Sequence, residues 1–189
     1  MNKEQYKRLI ETLWSQLASG ETIDDLAKIA ELSEIGLDEI KAAFPSSDKI
    51  ILALIEDVWA QLSLPDKSDK LMPRDQIFDA AMMAFDLVAP YRSGIKALVR
   101  DTLLTPSTYI SVLPRLNQFG SDLISSYFNT DGLFGTGAVL AFNGAFATTF
   151  WAFLDDDTFD LSKTMSSLDS SLNTVFSLLS YCPGIAKSE

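Results

Sequence analysis

An all-α fold of about nine helices is what this sequence predicts, and three observations carry the prediction. Apolar residues recur at helical spacing through most of the 189-residue chain. No stretch of useful length alternates apolar and polar side chains as a half-buried strand would. Glycines, prolines and capping residues fall where helices of ordinary length would start and stop.

The first helix is expected over Lys3 to Ala18, with Tyr6, Leu9, Ile10, Leu13, Trp14 and Leu17 on one face and Gly20 ending it. Thr22 is placed to cap a short second helix, IDDLAKIAEL, whose Asp24 and Asp25 suit the positive end of the helix dipole. A turn over Ser33 to Gly36 precedes a third short helix, LDEIKAAF, closed by Phe44-Pro45 because proline disfavours helical angles in the residue before it. Ser46 or Ser47 then caps a fourth helix to about Leu62.

The connector SLPDKSDKLMP, with two prolines, separates this head from the rest. Further helices are expected over Arg74 to Ala89, Ser93 to Leu104, Ser107 to Phe128 (with Pro114 a kink point), Thr136 to Leu154, and Leu161 to Tyr181 with Asp160 as its cap. NTDGLFGTG reads as a loop and PGIAKSE as a frayed tail. The expected organisation is a head over 1–46, a linking helix over 47–62, and a larger body over 63–189.

Composition narrows the chemistry. Nearly half the residues are apolar, so a substantial core can be buried, while the net charge of −11 opposes bulk affinity for nucleic acid or anionic membrane. The chain has no histidine, which removes the commonest general base, Ser-His and Cys-His nucleophile pairs and histidine metal sites. A single cysteine, Cys182, excludes an intramolecular disulfide and reads as a small hydrophobe. The N-terminal residues are polar and amphipathic, without the apolar run of a secretory signal, and a cytoplasmic location is expected. Leu133 to Leu154 carries no charge and is long enough to span a bilayer. Its glycines, Asn143 and threonines, and the lack of basic flanks, read instead as a helix buried in protein, so no membrane span is expected.

The segment from Tyr6 to Trp59 resembles the N-terminal domain of the TetR family of transcriptional regulators. The matching features are the long first helix ending at Gly20, then TIDDLAKIA, the short helix ending in Phe44-Pro45-Ser46, and DKIILALIEDVW. WAFLDDDTFDLSKTMSSLDSSL near the end is also family-like. The resemblance implies a helix-turn-helix head, with Thr22, Gly36 and Lys41 at positions facing DNA, on a body that binds a ligand and dimerises through its last two long helices. This chain departs from the pattern on the recognition helix. Lys41 and Ala43 stand where the family usually has a tyrosine and a histidine or another phosphate-contacting group, and the turn is about three residues longer. Residues 1–62 hold six basic and twelve acidic side chains, leaving the head at −6. DNA recognition rests on neutralising phosphates and on Arg, Lys, Asn or Gln reading base edges, and the third helix is poor in both.

In the body, Met82, Phe85, Tyr109, Phe119, Tyr127, Phe142 and Phe146 could line a pocket for an apolar ligand, with Asn143 as a polar contact. The eighth helix is apolar nearly all round and must be covered on more than one side. Ala138, Ala141, Ala145 and Phe150, with Leu168, Leu172 and Phe176 of the ninth, form the expected homodimer interface.

Asp156-Asp157-Thr158-Phe159-Asp160 fits the DDxxD pattern by which prenyl-transferring enzymes hold magnesium and diphosphate. No second acidic motif or basic cluster accompanies it, and a capping role fits better. No Walker loop or dinucleotide fingerprint is present. The expectation is therefore a non-enzymatic protein without metal or cofactor: a ligand-responsive, TetR-like regulator with an acidic head. The alternative is a TetR-fold protein that holds an apolar metabolite, lipid or protein partner without binding DNA, to which a lipid-binding protein of ubiquinone biosynthesis is broadly similar.

Overall fold

The computed structural model describes residues 1–62, 72–102, 106–128 and 130–181. Most of the connector, Cys182 and the expected frayed tail lie outside the described residues. Among those described are nine α-helices, one 3-10 turn and no strand. The helices are α1 (Lys3–Ala18), α2 (Leu26–Ser33), α3 (Leu37–Ala43), α4 (Ser47–Gln61), α5 (Pro73–Val88), α6 (Arg92–Thr102), α7 (Pro106–Ser125), α8 (Gly132–Leu154) and α9 (Ser162–Leu179), with the 3-10 turn over Ala89–Tyr91.

The chain packs as two compact units, one of Met1–Gln61 with Leu87–Leu113, the other of Leu62–Asp86 with Pro114–Glu189. Residues 87–113, expected with the body, thus pack with the head. Tyr91 and Gly94 make two of the contacts that hold them there, and Leu98 packs on the same core. The Tyr91 ring lies 4.5 Å from that of Trp14, whose indole N–H donates to Asp57 at 2.8 Å. Gly94 of α6 meets the backbone of Leu17 so closely that no side chain fits.

The first unit is built around the apolar stripe of α1. Leu9, Ile10, Leu13 and Leu17 are buried with Ile23, Ile29, Ile35, Ile40, Phe44, Ile50 and Leu54. Gly20, at φ +71°, ends α1 in the left-handed region that glycine tolerates. α2 starts later than the Thr22 cap would place it. Asp25 is the cap, its carboxylate accepting from the Lys28 N–H at 3.1 Å, while Ile23 is buried in the segment ahead. Asp is as good an N-cap as Thr, and the later start lets Ile23 enter the core.

In the second unit α8 and α9 pack along each other. Arg74 at the start of α5 ties to α9, donating to Asn173 at 2.9 Å and pairing with Asp169. α8 begins at Gly132, so GLFG of the expected loop is helical. Gly135 permits this, because the Thr130 backbone occupies the space a side chain would need. Pro114 lies inside α7, which runs through it. α8 is long and apolar enough to cross a bilayer, but Ala138, Val139, Phe142, Ala145 and Phe153 are buried against protein, so one side of it belongs to the core.

The entry to α9 is set differently from the expectation. Leu161 precedes it in the left-handed region (φ 53°), and Asp160 accepts only one long bond, from the Ser162 N–H at 3.3 Å. The cap is the fully buried Asp156. Its carboxylate accepts from the Thr158 N–H at 3.0 Å, the Thr158 hydroxyl, and both the N–H and hydroxyl of Thr164 at 2.7 Å.

Candidate functional site

In the head, Glu34 takes the left-handed conformation at the end of α2 (φ 55°), and Gly36 caps α3. The three residues expected to face DNA are all exposed but stand apart along the chain: Thr22 ahead of α2, Gly36 at the α3 cap, and Lys41 in the last turn of α3. Lys41 shares the exposed surface of α3 with Asp38 and Ala42.

Half of the head's cations are already paired with its own carboxylates. Arg8 of α1 reaches Glu34 at 3.0 Å, Lys28 pairs with Glu21, and Lys7 lies 3.7 Å from Glu11. Such exposed pairs contribute little to stability, at most about 1 kcal/mol each. Their consequence is electrostatic: a phosphate would have to displace a carboxylate already in place. Lys3, Lys41 and Lys49 form no ion pair among the described residues. Asp48 sits in the first turn of α4, where an incoming phosphate would otherwise find free amides. A hydrogen bond from Ser46 holds its carboxyl below the ordinary range, so it stays charged. The Arg8–Glu34 pair spans 26 positions and had no local signal in the sequence.

In the body, most of the aromatic residues expected to line a pocket pack against one another. Phe146 is the hub. Its ring stacks on Phe85 at 4.9 Å and lies 5.4 Å from Phe119 and 6.3 Å from Phe142. Phe85, Phe119, Phe142 and Met82 are buried, whereas Phe146 is half-buried and closes the cluster toward solvent. Tyr127 stands elsewhere, its hydroxyl donating to the buried Gln76 at 3.2 Å; burial pushes its phenol up and keeps it a neutral donor. Asn143 is spent on a clip between α7 and α8, donating to Asn117 at 2.7 Å, with its amide filling the space beside Gly120. The side chain of Tyr109 lies outside the described residues. An open hollow lies along α9 between Asp169 and Leu178, lined by serines, threonine, asparagine and these two residues rather than by aromatic rings.

The residues expected at a dimer interface divide by face. Ala138, Ala145, Leu168 and Leu172 are buried within the chain's own packing. Ala141 and Phe150 are half-buried, and Phe176 lies edge-on to Phe128 at 5.6 Å. The outward side of α8 carries other residues: Leu133, Gly137, Leu140, Gly144, Ala147 and Trp151. The DDxxD carboxylates do not converge on a cation site. Asp156 is buried as a cap, Asp157 and Asp160 are exposed, and no cluster suited to a metal occurs among the described residues.

No family model and no curated protein matches this sequence. Among solved structures, the chain is similar to a TetR family transcriptional regulator from Pseudomonas syringae pv. tomato str. DC3000. That likeness has a TM-score of 0.55 at 14% identity and covers 94% of this chain and 97% of the other. The fold is TetR-like. The TetR-like arrangement accounts for the helix order from α1 to α9 and for a helix-turn-helix made of α2 and α3. At this identity the likeness is one of architecture, and the chemistry rests on this chain's own residues.

Proposed function

We propose that this chain is a TetR-like, ligand-responsive transcriptional regulator that works as a homodimer. The observation that supports the reading is a helix-turn-helix head joined to a larger helical body in one architecture shared along nearly the whole chain with a TetR family regulator. In this reading α3 approaches DNA with Lys41, Lys3 and Lys49 supply the unpaired positive charge nearby, and two heads meet two half-sites about one DNA turn apart. The ligand is apolar and acts on the Phe85–Phe119–Phe142–Phe146 cluster, biasing the body between two arrangements.

A second reading has a specific observation in its favour. The head's acidic surplus, and the pairing of Arg8, Lys28 and Lys7 with its own carboxylates, suit a TetR-fold protein that holds an apolar metabolite or a partner without touching DNA. A mobility-shift assay at low salt, with the DNA flanking the gene, separates the two. Retardation at nanomolar protein is the result expected of a regulator. Free DNA at micromolar protein, with an apolar molecule found by mass spectrometry in the purified sample, would replace that reading with the second.

A further inference from the structure

Arg8 is the only arginine in residues 1–62, and every other basic side chain there is a lysine. The difference matters to a phosphate. A guanidinium offers a planar fork that matches two phosphate oxygens at once, whereas an ammonium acts as a point charge. This one arginine is already engaged, donating to the Glu34 carboxylate at 3.0 Å.

Glu34 holds its place by an uncommon route. It follows α2 in the left-handed region, at φ 55°, where a helix ordinarily ends on glycine or asparagine because a larger side chain crowds the backbone. Its neighbours pin it there. Ser33 is fully buried with its hydroxyl on the Ile29 carbonyl at 2.7 Å, and Ile35 is buried in the head's core. The Glu34 N–H donates to the Glu31 carbonyl at 3.3 Å. The backbone is thus fixed on both sides, while the carboxylate stands 80% exposed beside Arg8.

Only Ile35 and Gly36 separate Glu34 from α3, so a duplex lying on α3 brings phosphates toward this turn. The ion pair alone is a weak obstacle, since exposed pairs are easily exchanged and Arg8 is long enough to swing away. The carboxylate does not leave with it. Fixed by its backbone, it stays beside Arg8 and meets an incoming phosphate as a like charge.

We propose that Glu34 is an autoinhibitory brake built into the helix-turn-helix: it occupies the head's one arginine and keeps a negative charge where that arginine would take a phosphate. The proposal rests on the DNA-binding reading and names the residue that limits how tightly the head engages.

Fluorescence anisotropy with the DNA flanking the gene, over a salt series, compares wild type, Glu34→Gln, Arg8→Gln and the double variant. Glu31→Gln, which removes another exposed carboxylate from the end of α2, is the control. Thermal melts confirm that each protein is folded. At the lowest salt Glu34→Gln binds at least about fivefold tighter than wild type, and its slope of log K against log salt steepens by about 2, one more phosphate on each of two heads. With Arg8→Gln in the same chain, Glu34→Gln brings neither gain. No gain in Glu34→Gln, a gain that survives Arg8→Gln, or one that Glu31→Gln matches overturns the brake and leaves DNA binding standing. No binding by any of these proteins overturns both.

Discussion

Asp156 and Thr164 are joined by two short hydrogen bonds: one carboxylate oxygen accepts both the backbone N–H and the hydroxyl of Thr164, each at 2.7 Å. The residue that looked like part of a diphosphate motif is therefore the cap of α9. Burial pushes its carboxyl up, but the hydrogen bonds from Thr158 and Thr164 outweigh burial and hold it well below the ordinary value of 3.8. A carboxyl titrating lower in the folded state than in the unfolded one stabilises fully above the unfolded value, and the gain is lost as pH falls through the folded value. Asp156→Asn should cost about 2–3 kcal/mol at neutral pH, by loss of charge-assisted bonds to a buried group. In urea unfolding, the gap between wild type and variant should stay constant from about pH 7 to 5 and narrow below about pH 4. An equal gap at all pH values would mean that the carboxylate is not the source of the stability.

Gly94 and Gly36 make opposite predictions for the same substitution. A methyl group on Gly94 would overlap the Leu17 backbone at the α1–α6 crossing, and backbone cannot step aside as a side chain can. Gly94→Ala should therefore destabilise by about 2–3 kcal/mol or more. Gly36 has φ −59° and open space around it, so Gly36→Ala should cost no more than about 1 kcal/mol, the preference for glycine over alanine at an N-cap. Thermal melts of the two variants read the difference directly. Equal losses would contradict the close crossing that ties residues 87–113 to the head.

Gly120 and Asn143 should behave as a coupled pair. A side chain at Gly120 collides with the Asn143 amide, which would have to leave Asn117. Gly120→Ala alone should cost about 1–2 kcal/mol, the overpacking of a tight interior contact. Adding it to Asn143→Ala should cost much less, since the obstacle is gone. Additive losses in a double-mutant cycle by urea unfolding would show that the two sites are independent.

Much of the architecture could be read from the sequence because it is encoded locally. The stripe of α1, the stop at Gly20, the break at Phe44-Pro45 and the start of α4 after Ser46 all follow from spacing and from the angles that glycine and proline allow or forbid. What escaped was encoded at a distance or by degeneracy. α8 is apolar on every side, so hydropathy had no power to say that Ala138 and Ala145 face inward while Gly137 and Gly144 face out. Asp156 and Asp160 are equally good caps by residue type, and only the left-handed turn at Leu161 decides between them. Tyr91 on Trp14 joins residues 77 positions apart, and no periodicity could announce it. Residue type marked Phe85, Phe119, Phe142 and Phe146, with Tyr127 and Asn143, as the lining of an expected pocket; the fold gathers the four phenylalanines against one another and sets Tyr127 and Asn143 to other hydrogen bonds.

The functional reading turns on whether so acidic a head touches DNA, and the salt dependence of binding measures that touch. Three unpaired lysines on each of two heads, at roughly −0.9 per neutralised phosphate, bound the slope of log K against log salt at about −5. Fluorescence anisotropy with the flanking DNA, between about 25 and 200 mM salt, should show binding that weakens with a slope no steeper than this. Lys41→Glu in both heads should make the slope shallower by about 2 or abolish binding. No binding at the lowest salt, or affinity indifferent to Lys41→Glu, would contradict the account.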